Sequence, residues 1–125
     1  MQHFDTNIPI YLQVVESIKM QIMNGTLHPG DKISSVRELA QELSVNPNTI
    51  QKAFSELERE GFIRTERAVG RYVADDEKLI EECKVQLIKE KTKSFIEQMD
   101  LLGISIESIM EYLENYKEEN DGNDD

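Results

Sequence analysis

Four polar side chains, Asn48, Lys52, Ser55 and Arg59, recur at intervals of three and four in one stretch of the chain. At about 100° per residue they share one face of a helix, opposite an apolar stripe of Ile50, Ala53, Phe54 and Leu57. Such a face offers an amide that can bond base edges, a hydroxyl, and cations that can neutralise phosphate. It carries no large apolar group, and its acids (Glu56, Glu58 and Glu60) cluster toward the far end. The N-terminal half of a helix that enters the major groove of DNA needs a surface of this kind. An ordinary helical hairpin with a solvated face shows the same pattern, so the face alone leaves both readings open.

The elements that must position this face run from Ser35 to Gly61 and read as two short helices with a corner at Ser44–Asn46. Ser35 and Glu38 stand at capping-box spacing at the start of the first helix. Leu39, Ala40 and Leu43 then recur at helical spacing. At the corner, Asn46 suits an N-cap and Pro47 the first helical position, where its missing N–H costs little. The second helix runs to about Glu60, and Gly61 is placed to end it in a left-handed conformation.

Upstream, Met1–Asn7 is a leader with Phe4 as its anchor. Ile8-Pro9 opens a helix on which Tyr11, Val15, Ile18 and Ile22 share a face with Val14, and Asn24-Gly25 stops it. Leu27–Asp31 is a turn punctuated by Pro29-Gly30, and Lys32–Ser34 is a short extended piece. Ile18, Ile22, Leu27, Leu39, Leu43, Ile50, Phe54 and Leu57 would form a shared three-helix core. Downstream, Phe62–Thr65 and Arg71–Val73 are β-prone runs separated by Glu66–Gly70. A hairpin directly behind a helix-turn-helix is a wing. Arg67 near its tip, flanked by Arg64 and Arg71, could reach phosphates or the minor groove. The bland alternative is a hairpin that merely caps the core.

The 125-residue chain carries a net charge of −11, which at first argues against nucleic acid. Its distribution softens that objection. Residues 1–76 hold 8 basic and 11 acidic side chains, whereas 77–125 hold 6 and 14. Between 46 and 72, five cations (Lys52, Arg59, Arg64, Arg67, Arg71) face four glutamates, so the candidate surface is locally slightly positive. No apolar run is long enough to span a bilayer and no signal-peptide pattern appears, which leads us to expect a soluble, cytoplasmic protein with no membrane partner. The single cysteine, Cys83, excludes an internal disulfide framework and a Cys-based zinc site. It reads as a small packing residue, with a redox sensor as the alternative.

Over about residues 8–74 the chain resembles the winged helix-turn-helix of GntR-family transcription regulators. The likeness rests on motifs in order: Pro9-Ile10-Tyr11, Gly25-x-Leu27-x-Pro29-Gly30-Asp31, Ser35-Val36-Arg37-Glu38-Leu39-Ala40, Val45-Asn46-Pro47-Asn48-Thr49 and Leu57-Glu58-x-Glu60-Gly61. It implies DNA contacts from Ser35 and Arg37, from Asn46, Pro47, Asn48, Thr49, Gln51 and Lys52, and from Arg64, Arg67, Gly70 and Arg71 of the wing. Arg37 fits that role because a cation near a helix N-terminus has no structural reason to be there. Two departures are visible. The family's Leu-Pro-Ser is Ile33-Ser34-Ser35 here, and its Arg-Gly-x-Gly wing tip is Arg67-Ala68-Val69-Gly70.

In the remaining segment Val85, Ile88, Thr92, Phe95, Met99 and Leu102 step by three and four, giving one long helix from about Asp76 to Leu102. Gly103 breaks it, and Ser105 can cap a second helix carrying Ile106, Ile109, Leu113 and Tyr116, with Met110 alongside. Neither helix can bury its stripe alone. Two chains packing these hairpins together would form a small bundle, with Val85, Ile88, Phe95, Met99, Leu102, Ile106, Ile109 and Leu113 as dimerisation residues. The other outcome is a hairpin folded back on its own winged domain. So short a segment looks like the YtrA-type branch of the family, whose members commonly regulate operons for ABC-type transporters. Residues 117–125 are polar and acidic without periodicity and should be a disordered tail.

The expected fold is therefore mostly α with a small β-hairpin: a winged helix-turn-helix over 1–76, then a two-helix dimerisation hairpin over 77–116. The expected function is a homodimeric, sequence-specific transcription repressor on a two-fold double-stranded operator, with a small-molecule effector of unspecified identity. A winged-helix adaptor that binds protein through its acidic helices is the alternative. An enzyme is not expected. His3 and His28 lie in a leader and a turn, and no Ser/His/Asp, metal or phosphate-loop pattern appears, so no cofactor is assigned.

Overall fold

The computed structural model describes residues 4–121. His3, the first residues of the leader, and tail residues 122–125 lie outside the described residues. Among the described residues, five helices and one hairpin follow in order: α1 (Ile10–Met23), α2 (Val36–Leu43), α3 (Pro47–Arg59), β1 (Ile63–Glu66), β2 (Gly70–Val73), α4 (Glu77–Leu101) and α5 (Ile106–Asp121). The chain forms two compact units, and the division falls inside α4 between Lys84 and Val85.

In the first unit, the leader is tied to α1 by one glutamine. Gln13 Nε2 donates to the Asp5 and Ile8 carbonyls at 2.7 and 2.8 Å, while its Oε1 accepts from the Asp5 amide at 2.8 Å. Phe4 packs against the core, as its apolar character requires. That core joins Val14, Val15, Ile18 and Ile22 of α1 to Ala40 of α2, to Ile50, Ala53, Phe54 and Leu57 of α3, and to Phe62, Ile63 and Val73 around the hairpin. Leu27, Leu39 and Leu43 pack at its edge, half-buried. Leu79, Ile80 and Cys83 of α4 also pack on it, so the first unit extends beyond the boundary expected at Asp76.

The wing pairs β1 with β2 antiparallel, in the register Ile63↔Val73, Arg64↔Tyr72, Thr65↔Arg71 and Glu66↔Gly70. The extended piece before α2 adds a third strand-like partner. Ile33 N–H donates to the Arg71 carbonyl at 2.9 Å, Val73 N–H donates to the Asp31 carbonyl at 2.8 Å, and Lys32 bridges Tyr72. At the tip, Ala68 adopts φ 64°, the left-handed region, at the one position where the tip lacks a glycine of the family pattern. An L-residue there is strained by roughly 1 kcal/mol. Ala68→Gly is therefore expected to stabilise the first unit by about 0.5–1 kcal/mol, read as a higher urea midpoint at unchanged slope. An unchanged or lower midpoint would show that the tip is not held in this conformation.

In the second unit, the remainder of α4 turns at Gly103, where the Leu102, Gly103 and Ile104 amides return to the Met99 and Asp100 carbonyls. Ser105 Oγ accepts from the Ser108 amide at 3.2 Å and starts α5. Helix α5 continues through Asp121, so residues 117–121 are helical rather than part of a disordered tail. Lys117, Glu118 and Glu119 are good helix formers, and Asn120 Nδ2 bonds the Tyr116 carbonyl one turn back. Among the described residues of this unit, only Ile109 is buried. Phe95, Met99, Ile104, Ile109, Tyr112 and Leu113 line an open groove of about 390 Å³, and Ile88, Leu101, Leu102 and Leu113 remain exposed.

Candidate nucleic-acid interface

The exposed ridge of α3 is built by caps at both ends of α2 and at the start of α3. Ser35 Oγ accepts from the Glu38 amide at 3.1 Å, and Glu38 Oε1 accepts from the Ser35 amide at 3.2 Å, completing the capping box. The Ser35 amide, then its hydroxyl, holds the Glu38 carboxyl below the usual carboxylate range. Helix α2 ends at Ser44, which takes φ 57°, and the Val45 amide closes back to the Ala40 carbonyl at 3.0 Å. Asn46 Oδ1 then accepts from the Asn48 amide at 2.8 Å with Pro47 as the first helical residue. These local bonds fix where α3 begins and therefore which way its side chains face.

Ile50, Ala53, Phe54 and Leu57 are fully buried, so the opposite side of α3 must be exposed. Asn48, Gln51, Lys52, Ser55 and Arg59 are exposed there, Asn46 and Pro47 are exposed at the corner, and Thr49 is half-buried. Among the described residues, the side chains of Arg37, Asn48, Gln51 and Arg67 have no hydrogen-bond or ion-pair partner. All four are exposed.

The acids at the far end of α3 are each engaged within the chain. Arg59 pairs with Glu56, with its Nε donating at 3.0 Å, and this hydrogen bond lowers the Glu56 carboxyl from its usual range. Glu58 accepts from Thr65 Oγ1 at 2.8 Å, which ties the wing to α3. Glu60 accepts from Lys19 Nζ at 2.8 Å, and the same ammonium lies 5.1 Å from the centre of the Phe62 ring. Arg59 is thus an ion-pair partner on its own helix as well as a member of the outward face.

The four wing residues proposed from the sequence fare differently. Arg67 is exposed at the tip. Arg64 is exposed but pairs with Glu66 and lies 5.0 Å from the Tyr72 ring directly across the hairpin. Gly70 begins β2. Arg71 is half-buried, with its guanidinium 5.1 Å from the ring of the buried Phe54 and its Nε sealed from water without a hydrogen bond. The reason is the two-residue alternation of a strand: Val73 faces the core, so Arg71 shares its face. Alternation counted back from Val73 is a signal for this that the sequence does contain.

One neighbour of the ridge has no such signal. Lys52 Nζ sits 4.1 Å from the centre of the Tyr11 ring, a cation–π contact that reaches from α3 to the first turn of α1. Helical spacing marks Tyr11 only as a core position. Nothing local couples residues 41 positions apart.

No helix among the described residues is long and apolar enough to cross a membrane. Residues 10–73 match the family model described as "Bacterial regulatory proteins, gntR family". The HTH-type transcriptional repressor YtrA of Bacillus subtilis (strain 168) is 40% identical over 109 residues, covering 86% of this chain and 84% of YtrA. A solved structure of a GntR family transcriptional regulator from Listeria monocytogenes is 44% identical and superposes with a TM-score of 0.82, over 90% of this chain and 98% of that one. The DNA-binding domain of AraR, solved in complex with operator ORX1, is 33% identical with a TM-score of 0.53, over 59% of this chain and 92% of that one.

Proposed function

We propose, from the premise that this chain belongs to the gntR family of bacterial regulatory proteins and is a DNA-binding transcription regulator, that it works as a homodimeric repressor reading a two-fold operator through α3. The observation that carries this reading is the ridge of α3: exposed, polar, uncommitted at Asn48 and Gln51, and backed by a fully buried apolar stripe. The carboxamides of Asn48 and Gln51 suit adenine edges in the major groove. Lys52, steadied by Tyr11, supplies a cation for the neighbouring phosphate. Asn46, Pro47 and Thr49 bring the start of α3 against the backbone, with Ser35 and Arg37 beside them. Arg67 extends from the wing tip; Arg64 and Gly70 shape the hairpin behind it, and Arg71 holds its base on Phe54.

Dimerisation uses the helical hairpin, through Val85, Ile88, Phe95, Met99, Leu102, Ile106, Ile109 and Leu113. The support is the exposed apolar surface of α4 and α5, which a single chain leaves in water. Likeness to YtrA, a repressor, supports repression in the cytoplasm, and an ABC-transporter operon is the target class we put forward. A small-molecule effector would act by favouring one spacing of the two reading heads.

The test starts from a duplex selected out of a randomised pool. Asn48→Ala is expected to cost about 1–3 kcal/mol at one or two base positions and to relax preference there. Lys52→Ala should instead weaken binding to all duplexes and lower the salt slope by about 1. Anisotropy titrations in which neither variant differs from the parent would refute the assigned reading face.

A further inference from the structure

We propose that Lys32, which lies outside both the helix-turn-helix and the wing hairpin, is a backbone-phosphate contact of the DNA complex, reached by a side chain that lies across Gly70. The inference rests on the DNA-reading function above. Segment 31–33 is held along the free edge of β2 by the Ile33-to-Arg71 and Val73-to-Asp31 hydrogen bonds, which fixes the root of the lysine. Its stem then lies across Gly70: a Cβ added there would stand 2.9 Å from Lys32 Cε and 3.6 Å from Nζ. A Cβ at position 70 would need only the flexible end of the lysine to shift, whereas the φ of 150° at Gly70 is one that L side chains rarely adopt.

The ammonium delivered this way is uncommitted. Lys32 is exposed and, among the described residues, has no hydrogen-bond or ion-pair partner. It lines a small cavity of about 160 Å³ with Ser34, Ser35, Glu38, Val69 and Gly70, between the start of α2 and the wing tip. Glu38 is the acid nearest in influence, and its carboxylate is already bonded by the Ser35 amide. Of the other wing cations, Arg64 is paired with Glu66 and Arg71 is sealed on Phe54. Arg67 at the wing tip and Lys32, whose ammonium lies beside Gly70 just behind that tip, are therefore exposed cations without a hydrogen-bond or ion-pair partner among the described residues. A phosphodiester is the anion that a DNA reader would present to both.

The experiment compares the parent, Lys32→Gln and Lys32→Arg on the selected duplex and on an unrelated one, across a salt series. Lys32→Gln is expected to lose about tenfold on both duplexes and to lower the salt slope by about 1, with Lys32→Arg close to the parent and melting temperatures unchanged. An unchanged affinity and slope for Lys32→Gln would overturn the proposal. Inorganic phosphate titrated onto the DNA-free protein separates a second source: protection of Lys32 from amine acetylation at low millimolar phosphate, with no slope change on DNA, would mark a free-anion site and reject the DNA contact. If Asn48→Ala and Lys52→Ala still impair binding while Lys32→Gln does not, this inference fails and the reading face stands.

Discussion

Truncating Phe54 to alanine is expected to unfold the winged unit at physiological temperature. Its side chain is 0% exposed and lies at the centre of the core shared by α1, α2, α3 and the hairpin. Removing a buried aromatic costs about 3–5 kcal/mol, a transfer loss plus a cavity that the surroundings fill only partly. Domains of this size have about 5–15 kcal/mol in total. At 4–8 °C per kcal/mol for a small domain, the melting temperature should fall by roughly 12–40 °C. The variant also strips the Arg71 guanidinium of the ring it rests on, leaving a half-buried cation facing a void. Circular dichroism melts read the loss directly. DNA binding should vanish near 37 °C while a remnant survives in the cold. A drop below about 1 kcal/mol would contradict the burial of this ring and with it the placement of the wing.

The second large effect concerns assembly. Ile88 is 64% exposed and Leu113 is 53% exposed in the single chain, so neither supports the fold of its own hairpin strongly. Glutamate at both positions should leave helical content intact, because both helices accept it without a propensity penalty. If these residues meet a second copy, burying two carboxylates without partners there is prohibitive. If the proposed dimer forms, Ile88→Glu/Leu113→Glu is therefore expected to scatter light as a monomer at tens of micromolar, where the parent should scatter as a dimer. Affinity for a two-fold operator should drop by about 10²–10⁴-fold, the avidity lost when two linked heads become two independent ones. A double variant that stays dimeric and binds as the parent does would place the dimer contact elsewhere.

Local signals carried most of the fold. The capping box at Ser35, the Asn46-Pro47 start of α3, Gly61 after it and the Ser105 cap of α5 act within four residues, and each marks the element boundary that the structure has. What the sequence hid is non-local. The pairing of Lys32 with Tyr72 joins positions 40 apart and lays an apparent linker along the free edge of the two-stranded wing. Leu79, Ile80 and Cys83 look like the start of the hairpin helix, yet they pack back on the first core. The contact of Lys52 with Tyr11 and the burial of Arg71 on Phe54 likewise depend on which elements become neighbours. The partnering of Arg59 with Glu56 was within reach, since three residues on a helix bring side chains together.

The engagement of Glu56, Glu58 and Glu60 by Arg59, Thr65 and Lys19 limits how much of α3 can scan a duplex. What remains open, Asn48 to Ser55, rises about 10 Å along the helix, the height of roughly three stacked base pairs. A word that short recurs by chance every few dozen positions in any genome, far too often to address one promoter among about 10⁶ competing sites. In the proposed dimer, selectivity would come from multiplying two weak readings at a set distance. Operators for this protein should consequently tolerate changes in the letters between their half-sites, but not in the number of letters, since half a helical turn of added spacing would swing one word to the far side of the duplex.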